Sequence, residues 1–447
     1  MSNQNLHTPN KVENLQGKSI STKTLEWVTK NTAILIIHGV GNQLPCETLD
    51  AFGRGLIKQY ENKFQDKITL EHIIVPKTEN NKAWYDNVIR IRNSDKNEYI
   101  DLYEYYWANY TEDKASWNDI QKWLRNVVNG AVKYYKKNEE LGTVYNDNSL
   151  FFKNGKFKKG TYYWFLCIVG NVFMFYDWIR NSVMNLLFGI PYFGKLLKEY
   201  MTEFVENMQN RLANVAGDVT VYNVTDPKSK WFDIHRIIQD NAVSAIKYLI
   251  EKEIGAEGNE KLMYDSVIVA GHSLGSQIGY DALNKINLMI NECEIKNYDN
   301  NGVCKLKNYE NFNIENHFGG FITFGSPLDK IAFFLRENMP DKMYLRKQIL
   351  DHYHDFKQRN WDITFYKEVE YLKNKMSKQK FDDINQKYYP INSSVKRFLD
   401  NIQWRNYFDE HDYISGSLDL SQFGEYRLSI QSKKIMEFYP QQLLGLR

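Results

Sequence analysis

The chain has 447 residues, of which 43% are hydrophobic and 25% are charged, which suffices for one large domain with insertions or for two domains. Lys and Arg together number 57 and Asp and Glu 55, so the formal net charge is +2, and there is no basic excess that would predict nucleic-acid binding. The four cysteines have no metal-ligand spacing, so unpaired thiols in a reducing compartment are expected.

The first predicted core element is an apolar strand at 32–37, which ends in His38-Gly39-Val40-Gly41. The preceding residues, 1–30, are polar and lack the apolar core of a secretory signal, so we expect a cytoplasmic protein. A glycine-rich turn after a strand offers the backbone N–H groups that an oxyanion hole requires. A lone His-Gly-x-Gly pattern is a weak signal and gains weight only from a second motif.

Strands and helices are predicted through most of the remaining chain. One helix is predicted to begin at Glu47, and two more to span 117–135 and 235–250. Strands are predicted at 73–75, 88–91, 100–107 and 218–224. The alternating aromatic residues of 100–107 are typical of a partly exposed strand. The strand–helix–strand order from 218 to 269 predicts a parallel, doubly wound sheet with right-handed crossovers.

The most apolar region of the chain lies within 161–194, where an aromatic run is interrupted by Asn171 and closed by Asp177. A bilayer span requires about 20 apolar residues, so this segment is borderline. Three interpretations are open: a lid helix at the membrane surface, an insertion into the inner membrane, and an insertion that packs on the core. The first two predict a lipid-like substrate and a peripheral or inserted protein.

The strongest signal is a G-x-S-x-G box centred on Ser273. The run Val267-Ile268-Val269, which has the composition of a buried strand, leads into the box, and a helix is predicted after it at 277–286. Gly271 and Gly275 are expected because strand and helix pass too close there for a side chain. A strand, a sharp turn and a helix are the context of a nucleophile elbow, whose helix N-terminus favours developing negative charge.

The stretches around His38 and Ser273, HGVGNQ and VAGHSLGS, together resemble the α/β-hydrolase superfamily on its lipase and esterase side, in particular its large bacterial members. Residues 321–329 resemble the strand and Gly-Ser-Pro turn that follow the nucleophile helix in such lipases. Residues 404–415 resemble a W-x-N-x-x-D-x-x-D segment whose later Asp is the usual triad acid. The resemblance implies a doubly wound, mostly parallel sheet with helical insertions, and a serine hydrolase without a metal or organic cofactor.

The resemblance also implies a role for each matching residue. Ser273 is the nucleophile, and the backbone N–H groups of Leu274 and of the Gly39–Val40 turn hold the oxyanion. Asp412 is the expected acid, and Asp329 is the alternative. Two histidines in the motifs are expected to orient loops rather than to transfer protons: His38 and His272.

The catalytic base is less well defined. The family pattern places a histidine after the acid, yet no histidine follows Asp412 in this sequence. Three alternatives are open: the sequence ends before its histidine, another histidine serves, or the protein has lost hydrolysis. If another serves, His411 is the first choice and His352 and His354 are the others. In an extended segment His411 and Asp412 point apart, so Asp329 suits His411 better as a partner.

These elements predict six segments: a polar lead-in at 1–30, hydrolase core at 31–139, an apolar lid or membrane-associated insertion at 140–215, core with the elbow at 216–338, a second helical insertion at 339–400, and the acid-bearing end of the core at 401–447. The predicted reaction is cleavage of an ester of a lipid-like or other apolar acyl substrate through an acyl-enzyme. The alternatives are a non-catalytic binding or membrane-associated protein, and a thioesterase or peptidase. Oligomeric state and acyl length are not predicted.

Overall fold

The fold is given by a computed structural model. The residues that the structure describes are 31–41, 43–64, 68–74, 87–93, 98–112, 114–116, 119–120, 152–153, 156–157, 217–224, 227–309, 311–328, 396–399, 402–408 and 430–434.

The strands run in chain order as β1 (Thr32–Ile37), β2 (Ile68–Ile74), β3 (Asn87–Asn93), β4 (Glu98–Tyr105), β5 (Phe152–Lys153), β6 (Lys156–Phe157), β7 (Glu253–Ile254), β8 (Lys261–Leu262), β9 (Ser266–His272), β10 (Phe318–Phe324), β11 (Trp404–Phe408) and β12 (Ile430–Lys434). Eight of them form one sheet in the spatial order β12-β11-β10-β9-β1-β4-β3-β2. Neighbours from β12 to β4 pair in parallel, and β3 is antiparallel to both β4 and β2. The sheet is therefore mixed and mostly parallel.

The helices are α1 (Glu47–Phe64), α2 (Ala108–Thr111), α3 (Phe232–Glu251), α4 (Leu274–Asn291) and α5 (Ile314–His317). A further helical segment spans 217–222. The predicted helices that begin at Glu47, cover 235–250 and follow Ser273 are confirmed as α1, α3 and α4.

Both faces of the sheet are covered by helices. Ala33, Leu35 and Ile37 of β1 lie in one apolar cluster with buried residues of α3 and α4. Ile34 and Ile36 point to the other face and lie in a second cluster with residues of α1. Burial on both faces explains why β1 and β9 are unbroken apolar runs rather than alternating ones. The predicted α/β class with a mostly parallel sheet is confirmed.

Strands β1 and β9 are neighbours at the point where the strand order reverses. From β1 the chain builds β2, β3 and β4 on one side, and it then places β9 to β12 on the other side. In open α/β sheets the ligand crevice lies outside the carboxyl ends of the strands at such a point. Because β1 ends before His38 and β9 ends before Ser273, both sequence motifs lie at this point.

Two predictions of local structure are wrong. The segment 218–224 was predicted as a strand because Val219, Thr220 and Val221 are β-branched, but residues 217–222 are helical. Val221 and Tyr222 are fully buried, and such packing outweighs a weak β preference. The strand predicted at 100–107 exists as β4, yet residues 100–105 are buried rather than partly exposed, because β1 and β3 flank it within the sheet.

Several predictions fall outside the described residues. Among the residues that are described, no helix is both long and apolar enough to span a bilayer. The apolar segment 161–194 is not among them, so its three interpretations stay predictions. The same applies to Asp329, His352, His354, His411 and Asp412. Cys46, Cys293 and Cys304 are unpaired.

Candidate active site

Ser273 has a strained backbone conformation at the junction of β9 and α4. Its φ is +50° and its ψ is −123°, a combination that non-glycine residues rarely adopt and that costs about 1–3 kcal/mol. The Ser273 N–H donates to the carbonyl of Phe324 at 3.0 Å, and its own carbonyl accepts from Ser276 N–H at 3.0 Å. Hydrogen bonds on both sides of the turn therefore stabilise the strained conformation of Ser273. Residues 271–275 are called the elbow below.

The two elbow glycines lie where no side chain fits. A Cβ added to Gly271 would lie 2.5 Å from Ser276 Cα, and one added to Gly275 would lie 2.2 Å from the Ile37 carbonyl oxygen. The steric reason predicted for both glycines is confirmed. Gly275 also approaches the carbonyl of His38, so the elbow packs directly on the end of β1.

Residues 38–41, called the His-Gly turn below, meet the elbow at Gly39. A Cβ added to Gly39 would lie 2.9 Å from Ser273 Cβ and 2.8 Å from His272 Nδ1. Gly39 is buried, whereas Val40 and Ser273 are partly exposed. The two sequence motifs, far apart in the chain, are thus in direct contact.

His38 fixes the direction of the peptide that follows it. Its Nε2 accepts from the Trp107 backbone N–H at 3.0 Å, so Nδ1 carries the proton and donates to the Gly39 carbonyl at 2.8 Å. In a trans peptide the N–H and C=O groups point in opposite directions. The Val40 N–H therefore points away from the His38 ring. Among the described residues, neither Val40 nor Leu274 has an assigned acceptor for its N–H.

The buried, neutral His38 ring connects the end of β1 to Trp107, two residues after the end of β4. It stacks on the Trp107 ring with centroids 5.0 Å apart, and Trp107 Nε1 donates to the His38 carbonyl at 2.9 Å. Burial lowers the pKa of His38 to about 4, against a smaller opposite effect of its bond to Gly39. With both ring nitrogens bonded, His38 is not available as a base for Ser273. This arrangement fits the loop-orienting role expected of it.

Asp218 holds the far end of the His-Gly turn and was missed by the sequence analysis. Gly41, whose φ of +98° favours glycine, donates its N–H to Asp218 Oδ2 at 2.9 Å. Burial raises the pKa of Asp218 to about 6, although bonds from Gly41 and Thr111 act in the opposite direction. No local pattern could reveal this contact, because 177 residues separate Gly41 and Asp218.

A second buried carboxylate lies where the chain enters α1. Glu104, on β4, is 4% exposed and accepts from the backbone N–H groups of Cys46 and Leu49 at the start of the helix. Burial raises the pKa of Glu104 to about 7, and the negative charge of Glu47 adds to this. Asp218 and Glu104 therefore anchor the connection between β1 and α1 at its two ends.

The other described histidines make contacts of their own. His272 precedes Ser273 and stacks on Phe324 with ring centroids 5.1 Å apart. His317 is fully buried, bonds through Nδ1 to Tyr298 at 2.6 Å, and lies before β10, at the opposite edge of the sheet from Ser273. Burial lowers the pKa of His317 to about 4. Two more bond elsewhere: His72 to Asn87 and His235 to Tyr222. None of these contacts joins an imidazole to the Ser273 hydroxyl.

The Trp and Asn of the predicted acid segment join β11 to β10. Trp404 Nε1 donates to Thr323 Oγ1 at 3.0 Å, and Thr323 Oγ1 donates to Asn406 Oδ1 at 2.9 Å, all three side chains being buried. Because β11 is parallel to β10 and β10 to β9, β11 ends at Phe408 on the edge of the sheet where Ser273 lies. Asp412 follows a few residues later in the sequence.

Among the described residues, no group of three or more His, Cys, Asp or Glu side chains could hold a metal ion. Comparison of the chain with protein-family models, with curated proteins and with solved structures finds no match in any of the three. Function is therefore inferred from the geometry of the elbow and the His-Gly turn.

Proposed function

We propose that this protein is a serine hydrolase of α/β-hydrolase architecture that cleaves an ester of a lipid-like or other apolar acyl substrate through an acyl-enzyme on Ser273. The observation that carries the proposal is the backbone of Ser273, with a φ of +50° between glycines that admit no side chain. A strained strand–turn–helix connection of this kind exposes a serine hydroxyl at the edge of a sheet.

In the proposed reaction Ser273 Oγ attacks the ester carbonyl carbon, and negative charge develops on the carbonyl oxygen. The N–H of Leu274, the first residue of the 18-residue helix α4, and the N–H of Val40 are the proposed donors to this oxyanion. One such donor contributes about 2.7–4 kcal/mol to transition-state stabilisation. The positive end of the α4 dipole adds to the same effect.

The proton of Ser273 must pass to a base that an acid orients. His411 is the proposed base, and Asp412 or Asp329 is the proposed acid. Both acids follow strands, β11 and β10, whose carboxyl ends share the sheet edge with β9. All three residues lie outside the described part of the chain, so their pairing is a proposal from sequence position.

An apolar acyl group is proposed because two partly exposed residues near Ser273, Val40 and Phe324, have apolar side chains. Val40 follows Gly39 in the His-Gly turn, and Phe324 accepts the Ser273 N–H through its carbonyl. The aromatic segment 161–194, which lies outside the described residues, is proposed from its sequence as a lid or a membrane contact. A cytoplasmic protein, free or bound to the inner membrane through this segment, is the corresponding proposal for its location.

The proposal is tested by the hydrolysis of p-nitrophenyl esters of increasing acyl length, with acyl thioesters assayed in parallel to identify a thioesterase. We expect the Ser273→Ala variant to lose about 10⁴-fold or more in kcat. Ser244→Ala, which changes a partly exposed serine of α3 that donates to the Asp240 carbonyl, is the matched control. Equal rates for wild type and Ser273→Ala would contradict the proposal.

A non-catalytic binding protein on the same fold is the second candidate. It is favoured by one observation: no histidine follows Asp412 in the sequence, where the family pattern places the base. Triple replacement of His352, His354 and His411 by Ala separates the two candidates. Loss of hydrolysis in the folded variant supports the enzyme, and absence of hydrolysis in the wild type supports the binding protein.

A further inference from the structure

We propose that Asp218 is a positioning residue, which holds the His-Gly turn against Ser273 by accepting the N–H of Gly41. The proposal rests on the proposed function, in which the Val40 N–H binds the oxyanion. Val40 lies between Gly39, which contacts Ser273, and Gly41, which bonds to Asp218. The direction of its N–H is therefore set by contacts on both sides.

The carboxylate of Asp218 has few alternative partners. It is 7% exposed, and among the described residues no Lys or Arg forms an ion pair with it. Gly41 N–H donates to it at 2.9 Å, and Thr111, whose hydroxyl donates to the Ala108 carbonyl at 3.1 Å, lies beside it. A buried carboxylate that leaves its donor pays a desolvation penalty, so the bond to Gly41 restricts both the carboxylate and the turn.

The helical segment that carries Asp218 is also attached to the helix that begins beside Ser273. Tyr222 donates its hydroxyl to Asp281 of α4 at 2.8 Å, and Gln277 of α4 donates to Asn223 at 2.8 Å. The segment therefore connects the proposed oxyanion turn on one side to the nucleophile helix on the other. Asp218 is the member of this connection that contacts the turn.

The experiment measures the rate at which a fluorophosphonate labels Ser273, at several probe concentrations. We expect Asp218→Ala to lower the limiting labelling rate about 10–100-fold, less than the 10²–10³-fold loss on removing an oxyanion donor, with the half-saturating concentration little changed. Asp218→Asn keeps a side-chain oxygen that accepts the Gly41 N–H, and it should label within about 3-fold of the wild type.

Asp265→Ala is the matched control, because Asp265 also accepts a backbone N–H, that of Asn31 at 3.2 Å, but lies before β9 at the other edge of the sheet. It should label at the wild-type rate. A wild-type rate for Asp218→Ala, or no rescue by Asp218→Asn, overturns the proposal. If Asp218→Ala does not fold, Asp218→Leu keeps a similar side-chain volume and removes the acceptor of the Gly41 N–H, and unchanged labelling of that variant overturns the proposal.

Amide hydrogen exchange of the peptide that contains the His-Gly turn gives a readout independent of catalysis. We expect faster exchange in Asp218→Ala than in the wild type and wild-type exchange in Asp218→Asn, because the Gly41 N–H loses its acceptor only in the first. If the wild type does not react with the probe at all, the proposed function fails. Unchanged exchange in Asp218→Ala then overturns the positioning role separately.

Discussion

The elbow and the His-Gly turn touch at Gly39, yet they are held in different ways. The elbow depends on backbone packing, since Gly271 and Gly275 lie against backbone atoms that leave no room for a Cβ. The His-Gly turn depends on buried side chains, since His38 and Asp218 bond to its backbone. The elbow should therefore be destabilised when a side chain is added to one of its glycines. The His-Gly turn should be destabilised when a buried polar group that bonds to it is removed or changes its charge.

The largest effect is expected from Gly275→Ala in the elbow. The new Cβ would lie 2.2 Å from the Ile37 carbonyl oxygen and 2.5 Å from that of His38, and neither backbone group can move aside alone. We expect the free energy of unfolding to fall by about 3 kcal/mol or more, together with a loss of fluorophosphonate labelling. Urea denaturation and labelling of the purified variant measure the two effects.

Gly55→Ala is the matched control for this prediction. Gly55 lies within α1, and a Cβ there would meet no atom within 4 Å. This variant should gain about 0.5–1 kcal/mol, because alanine loses less conformational entropy than glycine in a helix. Equal stability and labelling of Gly275→Ala and the wild type would refute the steric account of the elbow.

The next largest effect is a loss of stability at acid pH, caused by protonation of His38. Its pKa in the folded protein is about 4, below the ordinary 6.5, so the unfolded chain binds the proton first as the pH falls. The contribution of His38 is therefore present above pH 6.5 and is lost as the pH falls toward 4, by about 3 kcal/mol. Urea denaturation across this range should show a smaller loss in His38→Gln than in the wild type.

The control for this prediction is His72→Gln, at an exposed position of β2 where the ring bonds to Asn87. It should lose stability on acidification as the wild type does. If the free energy of unfolding of His38→Gln and of the wild type fell equally with pH, a buried neutral His38 would not stabilise the His-Gly turn.

A somewhat smaller effect, opposite in sign, is expected at Glu104. Its pKa in the folded protein is about 7, above the ordinary 4.5, so the folded state keeps the proton longer and the contribution of Glu104 to stability is lost as the pH rises from 4.5 to 7. Glu104→Gln keeps an acceptor for the Cys46 N–H without the charge. It should be more stable than the wild type by about 2–3 kcal/mol at pH 8 and similar to it at pH 4.

Thermal or urea denaturation at both pH values measures this difference. Glu260→Gln, at a partly exposed position where the bond from the Gly258 N–H lowers the pKa of the carboxyl group, supplies the matched control and should not become more stable at pH 8. If Glu104→Gln were less stable than the wild type at pH 8, the carboxylate would be stabilising in its charged form, contrary to the burial argument.

The elbow was predictable from sequence because its determinants are local. The apolar run Val267-Ile268-Val269, the glycines two residues from Ser273 and the helical pattern after it all lie within one short stretch. Strand β1 and its His-Gly end were recognisable for the same reason. That the two motifs serve one site was expected only from the resemblance, and their contact is a consequence of the pairing of β1 with β9.

The residues that bond to the His-Gly turn were not predictable, because each is distant from the turn in the sequence. Trp107 and Asp218 are 69 and 177 residues from the turn residues that they bond. The segment that contains Asp218 was predicted as a strand because residues 219–221 are β-branched. It is helical, and Thr220 and Val221 are buried in that helix. Local preference is weak enough that packing decides in such a segment.

Mass-spectrometric mapping of the site that a fluorophosphonate modifies in the full chain tests the role of Ser273 most directly. We expect a single adduct on the peptide that contains Ser273, formed by the wild type and absent from Ser273→Ala. An adduct on another residue, or none on a folded wild-type protein, would contradict the assignment of Ser273 as a nucleophile.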